Sequence, residues 1–399
     1  MSLISIQEPQ ATPVADMPLL RLGFRPFYLL AAIFGALAVP LWTFQYLGWT
    51  AGWSTLWPRV GLGWHMHEMV FGMAVAVVIG FLYTAGRNWT GLWTPRNGQL
   101  AALALLWLAG RVAMLLAPPW PAAVIDLLFL PLAAWPMYQV LRQAGNKRNL
   151  FLVGLLGALT LANFLYHATV LGCPALALST PIHAAILIIV VIESVIGGRV
   201  IPMFTTNGAP GSKPVVHPVR DRIALGLTVG ASVAWVAGAP AVLQAVLAGA
   251  AGVALMVRVL GWQPQRTLRV PLLWILHLSY GWIAIGFLLL ALAALKVLAP
   301  SAAMHALTVG SMAGLIIGMM TRTSLGHTGR PLTAGRAEVA MYVLIQAGAV
   351  LRVLVAVGMP QWRTAGLAAA ALCWSAAFLL FALKYAPYLA RARIDGREG

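Results

Sequence analysis

Apolar runs of about twenty residues, the length that crosses the hydrocarbon core of a bilayer, recur from Phe27 to Tyr385 with only short polar breaks between them. Twelve can be placed, at 27–48, 66–85, 99–117, 120–141, 150–171, 181–203, 222–238, 240–260, 270–293, 301–320, 337–357 and 364–386. The pattern predicts an all-α polytopic membrane protein of about 12 transmembrane helices in a single domain over 21–390. Composition agrees, since 61% apolar and 9% charged residues lie outside the range of a water-soluble globule. Residues 1–20 lack the basic start and apolar stretch of a secretory signal and read as a disordered cytoplasmic lead; 391–399 read as a cytoplasmic tail.

Orientation follows from the basic residues, which accumulate in loops that stay in the cytoplasm. Arg21 and Arg25 precede the first span, Arg87 and Arg96 follow the second, and Arg142, Lys147 and Arg148 follow the fourth. The same alternation continues to Lys384, Arg391, Arg393 and Arg397, while the opposite loops hold Arg59, Lys296 and Arg363. Both termini are therefore expected in the cytoplasm. The net charge of +17 is spread over short loops instead of forming one stripe, so topology and anionic headgroups account for it without nucleic acid.

On this topology His65, His67, His167, His183 and His305 all fall at the outer end of spans far apart in the sequence. Ionisable groups at such depth are costly in lipid and should face the interior of the bundle in pairs. Five imidazoles at one level point to a bound metal or haem. Span 2 and span 10 share the spacing H-x4-G-x7-G-x10-G, from His67 through Gly72, Gly80 and Gly91 and from His305 through Gly310, Gly318 and Gly329. Each precedes a span with a buried arginine, Arg111 or Arg352, and span 6 also opens on a histidine, His183. Three four-helix repeats would produce this spacing.

The matched positions make His67 and His305 the expected axial pair for a haem iron, and His167 with His183 the expected copper pair. Cys173, in the loop joining those two spans, could add a soft ligand, whereas Cys373 reads as packing. Two residues apart on a helix, His65 and His67 project to nearly opposite sides, so span 2 serves either two centres or one metal and one structural partner. His65 completes the cofactor-binding set. Arg111 and Arg352 either neutralise Asp126 and Glu68 or hold haem propionates. Glu193, the acid nearest the middle of a span, either carries protons or is a neutral, hydrogen-bonded group. His277 reads as packing, and His217 and His327 as solvated loop residues. Phosphate-binding loops, H-E-x-x-H and nucleophile elbows are missing.

Several of these stretches resemble the NnrS family: Arg25-Pro26-Phe27, Gly63-Trp64-His65-Met66-His67-Glu68-Met69-Val70-Phe71-Gly72, Gly198-Arg199-Val200-Ile201-Pro202-Met203-Phe204-Thr205, and Met320 through Arg330. The likeness covers nearly the whole chain. It implies a haem- and copper-containing protein of the bacterial inner membrane, linked to denitrification, nitrosative stress and nitric oxide, with an electron donor it does not identify. Architecture gives a second likeness, to the catalytic subunits of haem-copper oxidases and nitric oxide reductases, but the adjacent histidine pair near span 7 of that family is missing. The expected function is to bind or turn over nitric oxide near the periplasmic side. The alternative is a secondary transporter of a small solute, which repeats and buried charges also suit.

Overall fold

The computed structural model describes residues 17–50, 57–173, 176–358 and 360–397. Its transmembrane-length helices are α1 Phe24–Tyr46, α2 Leu62–Thr90, α3 Asn97–Leu116, α4 Pro119–Gln143, α5 Leu150–Val170 and α6 Ser179–Gly208. They continue with α7 Pro218–Val236, α8 Ala241–Leu260, α9 Pro271–Ala294, α10 Pro300–His327, α11 Arg336–Gly358 and α12 Arg363–Leu389. No strand occurs among the described residues. The chain is an all-helical polytopic membrane protein. Residues 1–16 of the expected lead and 398–399 of the tail lie outside the described residues, and Pro18–Leu20 forms a 3-10 turn.

Every helix coincides with one of the twelve apolar runs. Eleven are apolar enough to cross a membrane by length and composition; α7 is the twelfth, with Arg220, Asp221 and Arg222 near its start. Prolines open α4, α7, α9 and α10, at positions where a missing N–H costs nothing. The narrow break between α7 and α8 is made by Gly238 with φ of 65° and by Pro240.

Several helices outlast their apolar runs, α6 and α10 among them. α6 continues to Gly208 and α10 to His327, because Thr205 and Thr321 return their hydroxyls to the carbonyls of Ile201 and Ile317. Polar side chains satisfied within the helix let it extend where hydropathy has already fallen.

Helices α2, α6 and α10 are the most extensively buried spans. Around them α1 packs on α2 and α12, α4 on α3 and α5, α9 on α8 and α10, and α11 on α12. A further likeness joins α2 and α10. Each contains a π-helical segment beginning one residue after its histidine, Glu68–Ala74 after His67 and Ala306–Ala313 after His305. The last glycine of each matched set, Gly91 or Gly329, follows its helix with φ of 70° or 79°. Helix α6 is continuous α and has no such segment, so this local correspondence is between two helices and not three. π segments concentrate at functional sites because they re-aim the side chains around them.

Candidate metal and cofactor centre

The histidines divide into two groups, and the division begins in α2. His65 and His67 leave opposite sides of the helix, as two residues at 3.6 per turn must. His67 faces α3, α4 and α5, while His65 faces a cavity bounded by α1, α6, α10, α11 and α12.

The first group is a buried ion network. Arg111 Nη1 on α3 donates to Glu68 Oε1 at 2.6 Å, and its Nη2 is paired with Asp126 on α4. Asp126 Oδ2 accepts from Asn163 Nδ2 at 2.7 Å and from His167 Nε2 at 3.0 Å, both on α5. His67 places Nδ1 2.8 Å from Glu68 Oε1 and Nε2 2.9 Å from Asn163 Oδ1, with Asp126 Oδ2 at 3.2 Å. All six side chains are buried. One helix places each partner: Asn163 lies one turn before His167, so both meet the same carboxylate.

Glu68 and Asp126 carry two negative charges and Arg111 one positive, which leaves the set at −1 while both histidines are neutral. One additional positive charge, a second proton on an imidazole or a monovalent metal, balances it. His67, Asp126 and His167 each offer an atom within 4.8 Å of the others' atoms, and imidazole with carboxylate is a donor set that transition metals accept. A metal held there would take over the hydrogen bonds that the two Nε2 atoms now make. Glu68 Oε2 is buried without a hydrogen bond beside this set.

The second group lines a cavity of about 280 Å³. His65, His183 and His305 reach it from α2, α6 and α10, Arg352 from α11, and methionines from α2 and α10 line its apolar wall. His65 is stacked on Trp42 with ring centroids 3.8 Å apart, and its Nδ1 is buried without a partner. His305 Nδ1 lies 2.7 Å from the Ser301 carbonyl and therefore carries the proton, which leaves the lone pair on Nε2. His183 is committed the other way: Nδ1 accepts from Trp235 Nε1 at 3.3 Å, so Nε2 bears hydrogen. Of the three, His65 and His305 thus have a nitrogen free for a ligand.

Arg352 Nη2 donates to Ser301 Oγ at 3.2 Å and has no carboxylate partner among the described residues. Arg111, in contrast, is committed to two carboxylates. The two arginines that the sequence presented as equivalent have different partners.

The pairings expected from the matched spans are also redrawn. His67 does not line the cavity with His305; it turns to Asp126 and His167, and His65 takes its place. His167 and His183 are not brought together either, because α5 turns His167 towards α4 while His183 faces the cavity. Cys173 is exposed and outside the His67, Asp126 and His167 set; Cys373 is half-buried in α12. His277 is buried, with Nε2 2.8 Å from Thr205 Oγ1, as packing requires. His217 is exposed, but His327 is half-buried against Phe24 because the C-terminal segment folds over it. Asn163, Trp42, Trp235 and Ser301 escaped the sequence reading. The spacing of four from Asn163 to His167 and from Ser301 to His305 was the available signal for two of them.

A family model described as NnrS protein matches residues 18–393. Comparison with the curated proteins gives no match.

Proposed function

The chain belongs to the NnrS family, and on that premise we propose that it is a haem- and copper-binding membrane protein of the nitric oxide response. Haem is assigned to the cavity, where His65 and His305 would hold its iron and Arg352 would meet its carboxylates. Copper is assigned to His67, Asp126 and His167. The observation that carries the reading is the cavity itself, where imidazoles from α2 and α10 meet on an apolar wall with ligand-competent nitrogens.

When bound, copper would supply the coordination position that takes nitric oxide, since an iron held by both His65 and His305 would have none open. The chain's own residues do the rest. Ser301 holds the His305 tautomer, which keeps Nε2 available and strengthens it as a donor. Trp42 holds the His65 ring in plane. The methionine-lined wall admits a small, weakly polar gas dissolved in the bilayer. Arg111 and Asn163 hold the Asp126 carboxylate in position against the two imidazoles, as second partners do at metal sites.

Optical spectroscopy and metal analysis of the purified protein test this assignment. A Soret band together with copper that is lost on His167→Ala supports it. Fully folded protein with neither chromophore nor metal, after supply of both during expression, overturns it and favours the solute-transport reading.

A further inference from the structure

Below the histidine cavity lies a second, smaller one of about 90 Å³, and the two share Met312 and Ile316 in their walls. Its lining is apolar apart from Glu193 of α6 and Tyr28 of α1. Among the described residues no cation accompanies the acid, and the one hydrogen bond made to Glu193 comes from Ser311 Oγ, at 3.2 Å from Oε2. Ser311 belongs to the π-helical segment that starts after His305, and Thr308, Met312 and Ala313 of that segment line the upper cavity. The Tyr28 hydroxyl is fully buried near Thr323 yet makes no hydrogen bond of good geometry.

A lone acid in the middle of a membrane span is costly, and its retention marks a functional group more often than a packing one. An unpartnered hydroxyl beside the same small cavity calls for water, which needs two or more polar partners and about 10–15 Å³ of space. Glu193 and Tyr28 supply the partners and the cavity supplies the space. No other titratable or charged side chain faces it from α1, α2, α6, α9 or α10.

We propose that Glu193 is a proton-exchange site that serves the histidine cavity through water held in the second one. The neutral acid releases its proton to a water on the Ser311 side, and the carboxylate left behind is held by the Ser311 hydroxyl. A water on the Tyr28 side, resupplied from the end of the bundle that carries the termini, returns the proton and restores the acid. One proton has moved and the relay is unchanged. From Ser311 to His305 the separation along α10 is about 9 Å, a short chain of waters. What consumes the proton depends on the cavity assignment proposed above; the exchange itself does not.

The test is infrared spectroscopy of the full-length protein in lipid nanodiscs without added metal. The carbonyl stretch of a protonated carboxyl should be present and should vanish in Glu193→Gln. Ser311→Ala keeps the acid but removes its hydrogen bond, so it should shift the same band and identify it even if Glu193→Gln fails to insert. Transfer to D2O should shift the band promptly. Tyr28→Phe, and Ile316→Phe at the junction of the two cavities, each leave one end of the relay open, so the double variant should slow that shift about a hundredfold, the lower end of what a positioned proton group contributes, and neither single variant as much. A band that never responds to D2O identifies a sealed packing acid and overturns the proposal, as does the absence of the band. If Tyr28→Phe alone slows the exchange as far as the double variant, the link to the histidine cavity is refuted. Because no metal takes part, failure here and failure of the haem and copper assignment are separate results.

Discussion

His67 and His167 sit edge to face with ring centroids 5.1 Å apart, although a hundred residues separate them, and the Asp126 carboxylate lies against the Nε2 of both. The contact removes His67 from the cavity in which the matched spans would place it, and it makes the carboxylate the centre of a buried polar network.

Asp126→Asn should therefore be among the most damaging single substitutions in the bundle. It removes one of the two carboxylate partners of Arg111 and weakens the hold on both imidazoles. Breaking a buried pair in this way costs about 3–5 kcal/mol. Thermal unfolding in detergent should show a large fall in Tm, accompanied by loss of copper from the purified protein. An unchanged Tm would contradict the network's structural role.

The two arginines should separate experimentally. Arg352→Leu should weaken cofactor retention in the optical spectrum with little change in Tm, because Arg352 has no carboxylate to abandon. Arg111→Leu should lower Tm first, since it leaves Glu68 and Asp126 without their cation. Arg397→Leu in the exposed tail should change neither measurement. Identical behaviour of Arg111→Leu and Arg352→Leu would count against their division between two sites.

His65→Ala and His305→Ala should alter the haem spectrum or abolish it while the protein still inserts. His67→Ala should act mainly on copper and stability. Spectra unaffected by both cavity substitutions would remove the haem assignment.

Close packing at Gly72 gives a stability prediction independent of any ligand. A methyl group there would lie 2.8 Å from Arg111 Nη1 and 3.1 Å from Glu68 Oε2. Gly72→Ala should cost about 1–3 kcal/mol, the usual range for overpacking a filled site. Gly154, exposed on α5 with no neighbour for a Cβ within 4 Å, is the control. Gly154→Ala should leave Tm unchanged or raise it, given the roughly 0.5–1 kcal/mol by which Ala exceeds Gly in a helix.

In cells, loss of the protein should increase sensitivity to nitric oxide. Complementation should require His65, His167 and His305 but not His217, which is exposed at the start of α7. Full rescue by an inserted variant lacking all five clustered histidines would defeat the metal account of function.

The twelve helices were legible in the sequence because a bilayer demands long apolar segments, and hydropathy registers that demand directly. So was the position of the histidines near the ends of their spans, which depends only on where each residue falls along its helix. Helical periodicity went one step further and separated His65 from His67. It could not name their partners, because 3.6 residues per turn gives the angle between two side chains and says nothing about which helix stands opposite each one. The matched glycines suggested His67 with His305; packing of α2 against α3, α4 and α5 put Asp126 and His167 in front of His67 instead. The roles of Arg111 and Arg352 differ for the same reason. Each is a guanidinium near the C-terminal end of a helix, and only the neighbouring helix decides whether a carboxylate or a cavity meets it.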